Sequence, residues 1–210
     1  MVKILSCVCF AIFLAIVPAV GQDAHPPPHT AHVMIPEPEA ARPRASNIVH
    51  LELPDLELVN QDGEKGRFLS DIIGDRLAAV TFTYTTCTTA CPILDGIFKN
   101  VQAEVADDLG KDTVLITLSI DPTNDIPERL KAHAEKLGAK PGWTFLTGEK
   151  QTVNEVLKGL EVFSTDIYNH PPTVFVVDGK REVWSRLNGF PSPDTIVEVL
   201  SEYRTARLKR

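Results

Sequence analysis

Residues 81–102 read TFTYTTCTTACPILDGIFKNVQ, a β-branched and aromatic run that passes into a helix-like one. At the junction stand Cys87 and Cys91, with three residues between them, in a 210-residue chain that has four cysteines in all. The other two, Cys7 and Cys9, lie in MVKILSCVCFAIFLAIVPAVG, where one lysine precedes an apolar run, Pro18 ends it, and Ala19 and Gly21 follow at signal-peptidase spacing. That run is short of the roughly 20 residues of a membrane span. Residues 1–21 are therefore expected to be a cleaved signal peptide in preference to a membrane anchor.

Processing would leave the mature chain in an extracytoplasmic compartment, periplasmic or secreted, with Cys87 and Cys91 as its cysteines. A disulfide gains stability with the length of the loop it closes, and a three-residue spacer gains little. The pair therefore points to chemistry more than to a structural staple. Its position at a strand-to-helix junction agrees, because unpaired N–H groups and the positive dipole end of a helix favour an anion such as a thiolate. Pro92 fits a first helical turn, where its missing N–H has no intrahelical partner.

If both cysteines sat in that first turn, their Cβ atoms would be about 5 to 6 Å apart, against about 3.8 Å in a disulfide. The spacing thus permits bridge closure with backbone adjustment and also suits two sulfurs facing one soft metal ion. Thiolates select Cu(I), zinc or iron–sulfur centres, and an added imidazole suits copper or zinc.

The 28 acidic and 21 basic residues give a net charge of −7 with no Lys/Arg cluster, which argues against nucleic acid and anionic membrane surfaces as partners. The length allows one well-cored domain after processing. Ahead of it, QDAHPPPHTAHVMIPEPEAARPRASN (22–47) has no apolar periodicity and reads as a linker, extending to residue 49. Its His25, His29, His32 and Met34 offer donors for a loosely held copper or zinc ion. The plainer reading is a proline-stiffened tether.

From residue 50 the pattern becomes that of a folded domain, 50–210. LELPDLELVNQDG alternates and turns at Asp62-Gly63, and LAAVTFTY (77–84) reads as a buried central strand. After the cysteines, Ile93, Ile97, Val101 and Val105, with Leu94 and Phe98 beside them, predict a helix closed by Gly110. A second buried strand (TVLITLSID), a helix (PERLKAHAEKLG), a short strand (WTFLTG), a helix (QTVNEVLKGLEVF), a hairpin around Asp178-Gly179 and a final helix follow. Strands alternating with helices predict an α/β domain of thioredoxin-like plan: a largely parallel central sheet, helices on both faces and an antiparallel C-terminal hairpin.

In such a fold the loop before the C-terminal hairpin faces the cysteine turn, usually through a cis-proline, and Pro172-Thr173 stands where that proline would be. His170, in DIYNHPPTVFVVD, is then the candidate imidazole for the cysteine pair, against the alternative of a surface histidine. A closed zinc site wants four ligands and three converge here. Asp121 is a candidate fourth, or else a strand-end carboxylate that orients the next loop. His133 is expected to be a solvated helix residue, and His50 is no better placed.

Taken together, TFTYTTCTTACP, SIDPTNDIPERLKAHAEKLG and NHPP before a strand resemble the Sco/SenC family of copper-binding thioredoxin-fold proteins, over roughly residues 50–205. Cys87, Cys91, Asp121, Pro122 and His170 occupy the places of the family's cysteine pair, D-P dipeptide and downstream histidine. Two departures stand out: Thr88 follows Cys87 where many members have proline, and Pro171-Pro172 follow the histidine where they have serine or threonine. The resemblance implies copper, Cu(I) or Cu(II), on Cys87, Cys91 and His170, and delivery of it to the subunit of cytochrome c oxidase that carries the CuA site. It implies equally the alternative of a thiol–disulfide oxidoreductase that reduces the cysteines of that site or of other extracytoplasmic proteins. Other copper carriers or thiol reductases are further partners on either reading. A peroxiredoxin-like peroxidase is disfavoured, because TFTYTTC lacks the proline of the P-x-x-x-T/S-x-x-C arrangement.

Overall fold

The structure, a computed structural model, describes residues 48–209. The expected signal peptide, with Cys7 and Cys9, and the linker donors His25, His29, His32 and Met34 lie outside the described residues.

The strands are β1 (Ile48–Val49), β2 (Glu57–Asn60), β3 (Lys65–Arg67), β4 (Leu77–Thr83), β5 (Thr113–Ser119), β6 (Trp143–Thr147), β7 (Thr173–Asp178) and β8 (Val183–Asn188). The helices are α1 (Ala90–Glu104), α2 (Pro127–Leu137), α3 (Lys150–Gly159) and α4 (Pro193–Leu208). A wide helical turn, Phe68–Ile73, joins β3 to β4. The strands form one sheet in the order β1-β8-β7-β4-β5-β6-β2-β3. All seven residues of β4 are buried, as are all seven of β5, because both strands are covered on both faces.

Alternate residues of β4 feed two cores. Ala78, Val80 and Phe82 pack with Val153, Val156 and Leu157 of α3 and with Phe68 and Ile73 of the wide turn. Leu77 and Ala79 pack with Leu94, Phe98 and Val101 of α1, Leu130 of α2 and Ile196 and Val199 of α4. This is the expected α/β plan with helices on both faces, but the parallel part is smaller than expected. Among the described strands, only the β4–β5 and β5–β6 pairings are parallel. The hairpins β2–β3 and β7–β8, the β2–β6 and β4–β7 pairings, and β1 on β8 are antiparallel. The parallel pairs are those whose strands are linked by the helical crossovers α1 and α2, and short turns close the hairpins β2–β3 and β7–β8. β1 also starts two residues before the expected domain boundary.

Helix α1 departs from the sequence expectation in two ways. Its buried stripe runs through Cys91, Leu94, Phe98 and Val101, while Ile93 is 50% exposed, so the strict four-residue series 93, 97, 101, 105 begins off the core face and reaches it at Val101. The helix also ends at Glu104 rather than near Gly110. Gly110 instead sits in a turn with φ +77°, where its backbone lies against Gly142 too closely for a Cβ on the latter.

The sheet order brings distant segments together. β7 runs antiparallel to β4 (Val80 opposite Phe175), so the residues just before β7 lie at the end where β4 hands over to the cysteine turn. β5 is parallel to β4 (Thr83 opposite Ser119), so the loop after β5 reaches the same end.

Candidate metal and thiol centre

Residues Tyr84–Thr89 connect β4 to α1, and within them the chain folds back so that the Cys87 N–H donates to the Tyr84 carbonyl at 2.9 Å. Cys87 therefore precedes the helix, and only Cys91 stands in its first turn. Thr89, at the cap position, makes no side-chain cap bond. The Cys91 N–H donates instead to the Cys87 sulfur at 3.3 Å, so a sulfur satisfies a helix N-terminal donor that usually takes an oxygen. Pro92 occupies the first turn, as expected.

The two thiols, both free, are unlike. Burial raises the Cys87 pKa, but hydrogen bonds from the Cys91 thiol, the backbone N–H groups of Thr89 and Cys91 and the Tyr84 hydroxyl outweigh it and bring it down to about 7. Cys91, 8% exposed, is pushed up to about 12, first by burial and then by its hydrogen bond to Cys87. Cys87 is thus the accessible, readily ionised sulfur, and Cys91 the protected one. Tyr84 is itself pushed up to about 12 by burial and by Cys87, which keeps its hydroxyl a donor.

His170 follows a single helical turn, Ile167–Asn169, that Asp166 caps by accepting from the Tyr168 N–H at 3.0 Å. The residue before a proline favours extended backbone, and His170 has φ −85°, ψ 117°. Its ring packs 5.5 Å from that of Phe82, and Tyr168 meets Tyr84 edge-on at 6.0 Å. Burial lowers the imidazole pKa, with a hydrogen bond to the Val162 backbone acting in the opposite sense. Its Nε2 is buried and has no partner. A neutral imidazole with one nitrogen engaged and the other unpaired is poised as a ligand.

Cys87, Cys91 and His170 line one narrow cleft of about 30 Å³, closed by Phe82, Tyr84 and Pro172. These are the three residues that the sequence analysis named as candidate ligands. Among the described residues, however, no three His, Cys, Asp or Glu side chains already converge at metal-binding distance. Engaging all three donors on one ion therefore requires a local closure of the cleft. Two soft sulfurs and an orphaned buried nitrogen remain a donor set that fits copper. A larger groove of about 690 Å³ runs past Val49, His50, Asp55 and Trp184 but contains no sulfur.

Other expectations are corrected. Pro172 lines the cleft, but no peptide bond among the described residues is cis. For Asp121 the loop-orienting alternative fits: it is not among the residues lining the cleft and accepts from the Asn124 side chain at 2.8 Å. His133 is not solvated: its Nε2 lies 3.0 Å from Oδ2 of the buried Asp95, and its ring meets Phe145 edge-on.

Sequence reasoning missed Asp125, which is 1% exposed. Its Oδ1 accepts from the Thr85 hydroxyl at 2.6 Å, its Oδ2 accepts from the Ser119 hydroxyl at 2.6 Å, and the Thr85 N–H lies 3.2 Å from both oxygens. The available signal was the spacing DPTND, which puts a second carboxylate four residues after Asp121 in the loop at this end of the sheet.

Residues 50–205 match the family model SCO1/SenC. The chain is 29% identical to the SCO1 protein homolog of Bacillus subtilis over 165 residues, 73% of this chain and 83% of that protein. It is 26% identical to a SCO2-like protein of Rickettsia conorii over 159 residues, 70% and 74% of the two chains. Among solved structures, the fold is similar to that of BsSco, described as a member of the Sco family of cytochrome c oxidase assembly proteins. That likeness has a TM-score of 0.63 at 24% identity, covering 75% of this chain and 96% of that one. It is also similar to copper-bound ScoI of Bradyrhizobium japonicum, with a TM-score of 0.59 at 21% identity, covering 70% and 96%.

Proposed function

From the premise that the chain belongs to the SCO1/SenC family, we propose that it is an extracytoplasmic copper-binding protein of cytochrome c oxidase assembly. On this reading it holds copper through Cys87, Cys91 and His170 and passes it to the oxidase subunit that carries the CuA site. The observation that carries the reading is the buried, unpartnered Nε2 of His170 in the same cleft as the two thiols. A buried polar atom left unpaired is costly, and a metal ion would satisfy it.

The donors suit cargo that is held and then released. Two thiolates suffice for Cu(I), and the imidazole adds a donor suited to Cu(II). Three protein ligands leave an open position through which an acceptor's own ligand can enter. Burial shields the Cys91 sulfur, while the half-buried Cys87 stays within reach of an acceptor.

A second reading is favoured by one observation, the unlike acidity of the two thiols. An accessible Cys87 near pKa 7 beside a protected Cys91 is the asymmetry of an attacking and a resolving cysteine. In that reaction the Cys87 thiolate attacks a substrate disulfide and releases one substrate thiolate. Cys91 then attacks the mixed disulfide, so that the substrate leaves as a dithiol and the protein as a disulfide. Copper binding and this cycle compete for the same sulfurs.

The deciding experiment adds Cu(I)-loaded protein, or reduced metal-free protein, to an oxidase subunit whose copper site is empty and either reduced or oxidised. Transfer of metal to the reduced site supports delivery. Loss of the acceptor's disulfide as its only response overturns delivery in favour of the oxidoreductase.

A further inference from the structure

Asp125 immediately precedes Ile126, the residue that caps α2, and neither side chain bonds the N-terminus of that helix. The carboxylate reaches instead to Thr85, forty positions earlier in the chain and two residues before Cys87. Among the described residues no lysine, arginine or histidine forms an ion pair with it. Burying a carboxylate without a cation is expensive, and well-packed apolar groups often serve stability as well or better. What this carboxylate provides is placement.

Its donors tie three segments together. The Thr85 hydroxyl and N–H belong to the cysteine turn, and the Ser119 hydroxyl to the end of β5. Ser119 in turn accepts from the Asp121 N–H at 3.0 Å, and the Asp125 N–H donates to the Asp121 carbonyl at 2.9 Å, which fixes the loop that presents the carboxylate. From Thr85 the chain runs through one residue to Cys87, whose N–H is held by the Tyr84 carbonyl. The register of Cys87 relative to α1 and to His170 thus depends on where Thr85 is pinned.

We infer that Asp125 is a positioning residue, which through Thr85 holds the Cys87 sulfur where it can share a ligand with Cys91 and His170. This rests on the reading of that cleft as the copper and thiol centre. Positioning contacts behind metal ligands typically carry about 10- to 100-fold in metal affinity.

The test compares full-chain wild type with Thr85→Val, Thr85→Ser and Asp125→Asn. Three quantities are followed: Cu(II) affinity with its thiolate-to-copper absorption band, the Cys87–Cys91 dithiol–disulfide equilibrium without metal, and thermal unfolding. Thr85→Val removes only the hydroxyl donor from a half-buried residue and carries the test if Asp125→Asn fails to fold. Expected for Thr85→Val are about tenfold weaker Cu(II) binding, a shifted band and a displaced dithiol–disulfide equilibrium, with Thr85→Ser restoring all three. Wild-type affinity, band and equilibrium in both Thr85→Val and Asp125→Asn, with only the melting temperature lowered, would overturn the inference. Should wild type show no thiolate band with Cu(II), the copper reading fails, and the metal-free equilibrium still decides whether Asp125 positions Cys87.

Discussion

The backbone N–H of Cys91 donates to the Cys87 sulfur at 3.3 Å, so the first cysteine caps the helix that carries the second. This makes Cys87 the thiol whose ionised form the fold favours. At neutral to mildly alkaline pH one equivalent of an alkylating reagent should label Cys87 rapidly, with a rate that rises through pH of about 7, while Cys91 stays protected. Peptide mapping after a short pulse checks this. Preferential labelling of Cys91 would contradict it.

The same asymmetry fixes the pH dependence of stability for the reduced, metal-free protein. Cys87 has a folded pKa of about 7, below its ordinary 9, so its contribution is present above pH 9 and is lost as pH falls through 7. Cys91 is raised to about 12, so its contribution is present below pH 9 and is lost as pH rises towards 12. Relative to the Cys87→Ser/Cys91→Ser double variant, the urea midpoint of wild type should rise from pH 7 to 9 and fall above it. A flat difference across that range would show that the cysteine turn does not favour the thiolate.

His170→Ala removes the nitrogen donor that lines the cleft and leaves both sulfurs. Cu(II) affinity should fall by at least about a hundredfold, the upper end of what supporting residues alone cost, and Cu(I) affinity much less, because two thiolates satisfy the softer ion. Competition titrations with a chelator for each oxidation state measure both. Equal losses for the two ions would mean that the imidazole acts on the sulfurs rather than on the metal.

Asp178, fully buried, accepts from Arg207 Nε of α4 at 2.9 Å and from the Arg181 N–H at 3.2 Å, which ties the last helix to the β7–β8 turn. Arg207→Ala removes that carboxylate's closest cation and leaves the Arg181 guanidinium at 3.6 Å, so it should cost up to about 3 kcal/mol in denaturant unfolding. Copper stoichiometry at saturation should not change, since Asp178 lies at the opposite end of β7 from His170. A loss below about 1 kcal/mol would show that water replaces the arginine.

The composition of residues 22–47, proline- and alanine-rich without apolar periodicity, gives them no core to form. A chain lacking them keeps β1 and should unfold cooperatively at the wild-type temperature, losing at most a weaker metal site. A broadened or lowered transition would place part of the fold within that segment.

Much of the fold was legible because β4, β5 and β7 are apolar runs bounded by helices of clear period, and periodicity reports burial directly. The antiparallel share of the sheet was not, since strand direction depends on how connections cross in space, and the β2–β3 hairpin joins the sheet at β6 rather than at β4, the next strand in sequence. Of the candidate site, the soft donors Cys87, Cys91 and His170 were readable from residue type and order. Asp125 and the Asp95–His133 pair were not, because a carboxylate in a loop and a histidine on a helix look solvated until the partner's position is known.

The central claim is that Cys87, Cys91 and His170 together hold one copper ion. It is tested most directly by metal analysis of the reduced, copper-saturated protein beside the Cys87→Ser/Cys91→Ser double variant, after exchange against a chelator that strips weak sites. One tightly held copper per wild-type chain and none in the double variant is the predicted result. Retention of the wild-type stoichiometry without both sulfurs would contradict the account and move the site to the histidines of the N-terminal linker.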